Sequence, residues 1–133
     1  MPRYLLDTNI VSAIADDPFG PVAARVTRHG IDRVCTSILV AAELRFGAAK
    51  KGSKRLLDRI ETALGNLDVQ PFAAPADQRY ADLRADLERR GRPVGGNDML
   101  IASHALALDC VLVTGNAREF ARIKGLRVED WSA

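Results

Sequence analysis

The chain has 133 residues, a length that fits one domain and leaves little room for a second. Apolar residues make up 47% and charged residues 27% of the chain, so a buried core beneath a solvated surface is expected, and intrinsic disorder is not. The formal net charge of +2 permits a nucleic-acid partner without requiring one. Composition therefore predicts a single domain over residues 1–133 and leaves its substrate open.

Segments that would direct the chain to a membrane or out of the cell are not expected. No apolar run approaches the length of a membrane span, and the opening MPRYLLDTN lacks the order of a signal peptide. Cys35 and Cys110 each lie in a short apolar run and not in the spacing of a metal site, which predicts two buried, reduced thiols. A cytoplasmic protein without membrane contact is the expectation.

The first half of the chain predicts short strands that alternate with helices. Thr8 and Asn9 offer capping side chains to the first helix, Ser37 offers one to the third, and Gly52 ends that third helix. The predicted elements, in chain order, are a strand over 3–6, helices over 10–15 and 22–29, a strand over 33–35, and helices over 38–51 and 53–64.

The second half continues the same alternation. Pro75 stands near the start of a charged helix that Gly91 ends, and a helix that is apolar on nearly every side follows the loop RPVGGN. The predicted elements are helices over 76–90 and 98–108, a strand over 111–113, a short helix over 116–123 and an edge strand over 126–128. This order predicts an α/β fold in which helices sandwich a short, mainly parallel sheet.

Asp7 and Glu43 are carboxylates in apolar surroundings. Asp7 ends the first predicted strand, and ligands of open parallel sheets bind outside the carboxyl ends of strands. The alternative is that Asp7 caps the following helix. Glu43 lies among apolar and small residues, where a buried carboxylate is costly without a partner. An ion pair with Arg45, or a partly exposed position, is the alternative for Glu43.

Asp98 opens the most apolar helix, where its charge favours the positive end of the helix dipole. Capping shared with Asn97 is the alternative. Together, Asp7, Glu43 and Asp98 are three carboxylates at the ends of three elements that a parallel sheet can bring together, and such a group needs a cation. Their oxygens suit Mg²⁺ or Mn²⁺, which can activate water for hydrolysis of a phosphodiester. No motif for a rival chemistry is present.

Four blocks of the sequence carry a family resemblance. They are YLLDTNIVSAI, AAELRFGA, GGNDMLIASHALAL and VLVTGNAREFARIKGLRVEDW. In this order and at this spacing, they resemble the VapC-type toxins of the PIN-domain family over essentially the whole chain. The resemblance implies a PIN fold, an endoribonuclease dependent on Mg²⁺ or Mn²⁺, a cognate VapB-type antitoxin that blocks the site, and a homodimer. A transfer RNA is the family-level expectation for the substrate.

The resemblance also implies roles for residues at matching positions. Asp7, Glu43 and Asp98 would be the catalytic, metal-binding acids. Asn9 would orient Asp7 through its side-chain amide, and Thr114 would line the same pocket.

The chain departs from the broad family pattern at Asn116, where many PIN domains have a fourth acid. An amide is a weaker ligand, which puts a second metal ion in doubt. Glu119 lies one helical turn later and could contribute a carboxylate, with a capping contact or an exposed charge as the alternative. A degenerate PIN module that binds RNA or antitoxin without cutting is the competing function, and a phosphotransfer domain is a distant third.

Two further groups of residues have open interpretations. His104 is expected to be a satisfied core or surface histidine and not a general base. Two sets of basic residues could hold phosphates beside the acidic pocket, with solvated helix ends as the alternative: Lys50, Lys51, Lys54 and Arg55 in one, and Arg89, Arg90 and Arg92 in the other.

Overall fold

Five parallel strands form one sheet in the computed structural model, which describes residues 2–132. The order across the sheet is β3-β2-β1-β4-β5, and every neighbouring pair is parallel. The predicted parallel α/β fold is therefore confirmed. The strands are β1 (Arg3–Leu6), β2 (Val34–Ser37), β3 (Asp68–Gln70), β4 (Cys110–Val113) and β5 (Val128–Glu129).

Seven helices flank this sheet within the described residues. The chain runs outward from β1 to β3 through the first four helices and returns through α5 and α6 to the opposite side of β1. The two directions diverge between β1 and β4, which makes this point the topological switch of the sheet. The helices are α1 (Thr8–Asp16), α2 (Pro21–His29), α3 (Ile38–Lys51), α4 (Lys54–Gly65), α5 (Ala76–Arg89), α6 (Gly96–Ala107) and α7 (Ala117–Phe120).

Several predicted boundaries were wrong. The second strand begins and ends later than 33–35 because a single 3-10 turn, Ile31–Arg33, precedes it. The helix predicted over 116–123 covers only α7, because the backbone bonds that follow span three residues and not four. The edge strand predicted over 126–128 is β5, and the short polar strand β3 was not predicted. None of the helices in the described residues is long and apolar enough to cross a membrane.

Strands β1 and β4 and helix α6 form the centre of the core. The apolar helix predicted to be central is α6, in which Ile101, Ala102 and Ala105 are buried. Cys35 and Cys110 are free and buried, as predicted, with their sulfurs 3.9 Å apart. They belong to β2 and β4, which lie on either side of β1, so their backbones are about 9–10 Å apart. That separation exceeds the span of a disulfide.

His104 lies in the core, 1% exposed. Its Nδ1 is 2.7 Å from the hydroxyl of Ser37, whereas Nε2 has no hydrogen-bond partner among the described residues. Only half of the ring is therefore satisfied, which corrects the expectation of a satisfied histidine. Burial lowers the pKa of His104, against a smaller opposing effect of the Pro71 carbonyl, so the neutral ring is favoured.

Candidate active site

The site lies at the carboxyl edge of the sheet, beside the switch point. Leu6 and Val113 are register partners at the ends of β1 and β4, and the Asp7 amide donates to the Val113 carbonyl at 2.8 Å. The next residues, Asp7 and Thr114, are consequently side by side. This register brings together side chains that lie 107 residues apart in the chain.

Asp7 is held by both of its carboxylate oxygens and is 4% exposed. Oδ1 accepts from the Thr8 amide at 2.7 Å, and Oδ2 accepts from the Thr114 hydroxyl at 2.7 Å. The Thr114 oxygen also accepts from the Asn116 amide at 3.0 Å, which directs the hydroxyl hydrogen towards Asp7. Asp7 therefore caps α1 and faces the site at once, and the two interpretations of this residue are compatible.

Thr8 and Asn9 do not cap α1, contrary to the prediction, because Asp7 occupies that position. The Thr8 hydroxyl instead donates to Glu43 at 3.2 Å. The Asn9 amide oxygen accepts from the Gly115 amide at 2.9 Å and makes no hydrogen bond to Asp7 among the described residues. Asn9 thus joins α1 to the segment after β4, and the direct contact with Asp7 that the family resemblance implies is not seen among the described residues.

Glu43 projects from α3 with one oxygen bonded to Thr8 and the other unpartnered. Its Oε1 is buried and has no hydrogen-bond partner within residues 2–132. The alternative pairing with Arg45 is wrong, because that guanidinium binds Glu61 through two bonds of 2.8 and 2.9 Å. Burial raises the pKa of Glu43, and the charge of Asp7 adds to the rise.

Asp98 stands in the first turn of α6 with its carboxylate near Gly95. Gly95 occupies the N-cap position, so Asp98 is not the cap of this helix. A Cβ on Gly95 would lie 3.6 Å from Asp98 Oδ2. Burial is the largest cause of a rise in the pKa of Asp98 to about 6, and the charges of Asp7, Glu119 and Glu43 add to it. All four carboxylates therefore act on one region.

Glu119 stands beside Asn116, at the position where the broad family pattern has a fourth acid. Its Oε2 accepts from the Asn116 side-chain amide at 2.8 Å, and its Oε1 accepts from the Gly95 amide at 3.1 Å. These donors lower the pKa of Glu119. Glu119 both adds a charge to the cluster and makes a capping-type contact at the start of α6. Sequence reasoning did not find the Thr8 and Gly95 contacts, since neither has a local signature.

The donor set fits a hard divalent cation. No three acidic, histidine or cysteine side chains among the described residues already enclose a position for an ion. Two features nevertheless point to one: Glu43 Oε1 is buried without a partner, and burial, together with the neighbouring carboxylates, raises the pKa of Asp98. A cation near Asp7, Glu43 and Asp98 would relieve both, and carboxylate oxygens suit Mg²⁺ or Mn²⁺.

Comparisons with known proteins agree with this geometry. The PIN domain family model matches residues 4–126. The tRNA(fMet)-specific endonuclease VapC of Shigella flexneri is 38% identical over 133 residues, which are 99% of this chain and 100% of that relative. The chain belongs to the VapC family of PIN-domain proteins.

Two solved structures place other members of the VapC family in larger assemblies. DNA-bound VapBC from Salmonella typhimurium has a chain 36% identical to this one, with a TM-score of 0.91, covering 98% of this chain and 99% of that chain. VapBC-5 from Mycobacterium tuberculosis, a member of the VapBC family of toxin–antitoxin systems, matches at 28% identity and a TM-score of 0.69, covering 97% and 98%. The PIN fold of this chain is thus confirmed.

Proposed function

We propose that this VapC-family protein is the toxin of a toxin–antitoxin pair and cuts RNA as an endoribonuclease dependent on Mg²⁺ or Mn²⁺. The observation that carries the proposal is the convergence of Asp7, Glu43, Asp98 and Glu119 at the switch point of a PIN fold. Relatives of similar length and sequence are ribonucleases by name, which supports the same chemistry here.

Each side chain has a distinct part in the proposed reaction. Asp7, fixed by Thr8 and Thr114, and Asp98 would hold the metal ion. When bound, the ion supplies a water of lowered pKa and neutralises charge on the phosphate. The free Oε1 of Glu43 accepts a hydrogen bond from the attacking water and orients it. Water adds to phosphorus, one phosphorus–oxygen bond breaks, and the leaving oxygen takes a proton.

The substrate and partners follow from the relatives. A transfer RNA is the proposed substrate class, because the Shigella relative is specific for one. A cognate VapB-type antitoxin is proposed as the inhibitor, and a homodimer as the assembled state, both acting in the cytoplasm. Solved VapBC assemblies of relatives support a protein partner.

Metal-dependent cleavage is the first test. Purified protein is incubated with transfer RNA in Mg²⁺, Mn²⁺ or EDTA, and Asp7→Asn and Asp98→Asn are compared with Asp58→Asn. Asp58 is an exposed carboxylate on α4, so its variant removes the same charge away from the site. We expect EDTA and both site variants to lower cleavage by about 100-fold or more, and the control to retain it. Equal cleavage by Asp7→Asn would contradict the proposal.

A non-cleaving RNA- or antitoxin-binding module is the second candidate. It is favoured by one observation: both oxygens of Glu119 are already engaged by protein donors, next to an asparagine in place of the fourth acid. Binding of transfer RNA without cleavage in either metal would support this candidate. Growth arrest on expression of the wild type, relieved by Asp98→Asn, would exclude it.

A further inference from the structure

A basic cleft of about 470 Å³ lies on the surface beside α7. Its lining contains no acidic residue. Five of the six residues that line it are cationic: Arg90, Arg92, Arg118, Arg122 and Lys124, with Ala121 as the sixth. We propose that this basic cleft binds backbone phosphates of the RNA that the acidic site cuts. The proposal rests on the proposed ribonuclease function and adds a binding surface to it.

The charges of the basic cleft are largely uncompensated. Arg90 and Lys124 share one carboxylate, that of Asp86, at 2.7 and 3.7 Å. Arg92 and Arg118 are exposed and form no ion pair with the residues that the structure describes. So many cations in one cleft repel one another, and a bound anion would relieve that repulsion.

Two guanidinium groups are positioned by neutral backbone acceptors. Arg90 donates to the Arg122 carbonyl at 2.6 Å, and Arg122 donates to the Pro93 carbonyl at 2.8 Å. These bonds connect the end of α5, the loop before α6 and the turn after α7. Because a carbonyl carries no net charge, these bonds order both side chains without neutralising them. Arg90 also pairs with Asp86, whereas Arg122 forms no ion pair within residues 2–132 and keeps its charge available to a ligand.

The basic cleft and the acidic site share structural elements. Arg118 and Glu119 are neighbours in α7, and Glu119 contributes charge to the acidic cluster. Arg122 binds the carbonyl of Pro93, whereas Glu119 binds the amide of Gly95, two residues along the same loop. Two extended residues span at most about 7 Å, so the basic cleft is adjacent to the Glu119 end of the acidic site.

RNA phosphate is the ligand that this chemistry favours. Four carboxylates at the cutting site repel a polyanion, and a flanking cationic surface offsets that repulsion. Arginine is suited to phosphate because its planar guanidinium donates two parallel hydrogen bonds. Because the cleft is open and lies beside the site, the RNA chain can extend past the acidic site into it. An acidic protein segment is the competing ligand, which the experiment below distinguishes.

The test measures RNA binding in EDTA, so that cleavage does not interfere. An initiator methionine transfer RNA transcript is titrated with wild type, with the cleft variant Arg92→Ala/Arg118→Ala and with the control variant Arg28→Ala/Arg33→Ala, from 50 to 300 mM NaCl, values chosen to change screening severalfold. The control pair removes the same charge from the end of α2 and the turn before β2, at the edge of the sheet opposite to the acidic site. We expect the cleft variant to bind about 10-fold more weakly and to reduce the slope of log affinity against log salt by about 1.5, since each phosphate contact contributes about 0.7–0.9.

Equal slopes in the cleft variant and wild type would overturn the proposal, as would equal losses of RNA affinity in the cleft and control variants. Unchanged RNA binding with weakened binding of the co-expressed antitoxin would also overturn it, in favour of an acidic protein segment. Recovery of the slope by Arg92→Lys/Arg118→Lys would support it, as would unchanged urea unfolding of all variants. If the cleft variant reduces the salt slope but the wild type never cuts RNA, the proposed ribonuclease function is refuted while RNA binding by the basic cleft is supported.

Discussion

At the scale of single residues, the Asp7–Thr114 contact carries the most information. A buried carboxylate is stable only when donors surround it, and Asp7 obtains one donor from its own helix and one from Thr114, directly after the adjacent strand β4. Thr36, at the end of the neighbouring strand, makes a bond of equal length to a neutral acceptor, the Leu6 carbonyl. The two threonines therefore differ in the charge of the acceptor, and Thr114 also accepts from the Asn116 amide at 3.0 Å.

Replacing Thr114 tests this difference. Thr114→Val preserves shape but removes the donor to a charged group, so we expect a loss of about 1.5–3 kcal/mol in the free energy of unfolding, with reduced RNA cleavage. Thr36→Val removes a neutral bond and should cost about 1 kcal/mol. Urea unfolding at neutral pH measures both. Thr114→Ser keeps the hydroxyl and should retain cleavage; equal losses in the two valine variants would argue against a role of the Asp7 charge.

At the scale of elements, Ser37 connects the helix that carries Glu43 with the helix that carries Asp98. Its hydroxyl accepts from the Leu39 amide at 3.0 Å, which caps α3, and it lies 2.7 Å from His104 in α6. Ser53 caps α4 in the same manner, accepting from the Leu56 amide at 3.1 Å, but it has no histidine partner among the described residues. A comparison of the two serines therefore distinguishes the effect of capping from the effect of the Ser37–His104 contact between helices.

Alanine substitution at the two caps measures that contact. Ser53→Ala should cost about 1 kcal/mol, the usual value of a helix cap. Ser37→Ala should cost about 1–2 kcal/mol more, because it also leaves the buried Nδ1 atom of His104 without its hydrogen-bond partner. Chemical denaturation gives both values. The same loss in both variants would mean that the bond between Ser37 and His104 adds nothing to stability.

At the scale of the whole molecule, the acidic cluster opposes folding when no metal is bound. The folded protein raises the pKa of Asp98 to about 6, mainly through burial. Because the pKa of Asp98 is raised in the folded state, its contribution to stability is fully present below the ordinary pKa of an aspartate. That contribution is lost as the pH rises through about 6. A bound divalent cation would reverse that loss.

Unfolding in EDTA tests the direction of this pH dependence. The measurements run from pH 4 to pH 8, a range that brackets the ordinary and the raised pKa of Asp98. As the pH rises across this range, we expect the free energy of unfolding of the wild type to fall by about 1–2 kcal/mol relative to that of Asp98→Asn. This figure is reduced for solvent screening. Asp58→Asn should follow the wild type. Mg²⁺ or Mn²⁺ should stabilise the wild type at pH 8 and have a smaller effect on Asp98→Asn. Identical pH profiles for wild type and Asp98→Asn would contradict the role of this carboxylate.

Sequence patterns predicted much of this molecule for physical reasons. The apolar runs that became β1 and α6 have strong local signals, and they place Asp7 and Asp98 at element ends without any knowledge of contacts. The partners of Thr8 and Asn9 were not predictable, because Glu43 and Gly115 lie 35 and 106 residues away. Such contacts depend on strand register and helix packing, which no short pattern encodes. Strand β3 was missed because it is short, polar and partly exposed.

The strand order has a consequence for synthesis on the ribosome. The strand at the centre of the sheet, β1, is translated first, whereas its partner β4 emerges only after residue 110. Until then Asp7 has no Thr114 to hold it, and the sheet lacks one side. A growing chain consequently carries all of α3 and Glu43 without a finished site. A cell making this protein meets the complete nuclease proposed here only after the ribosome has passed Thr114, which leaves the preceding translation time as an interval for an inhibitor to accumulate.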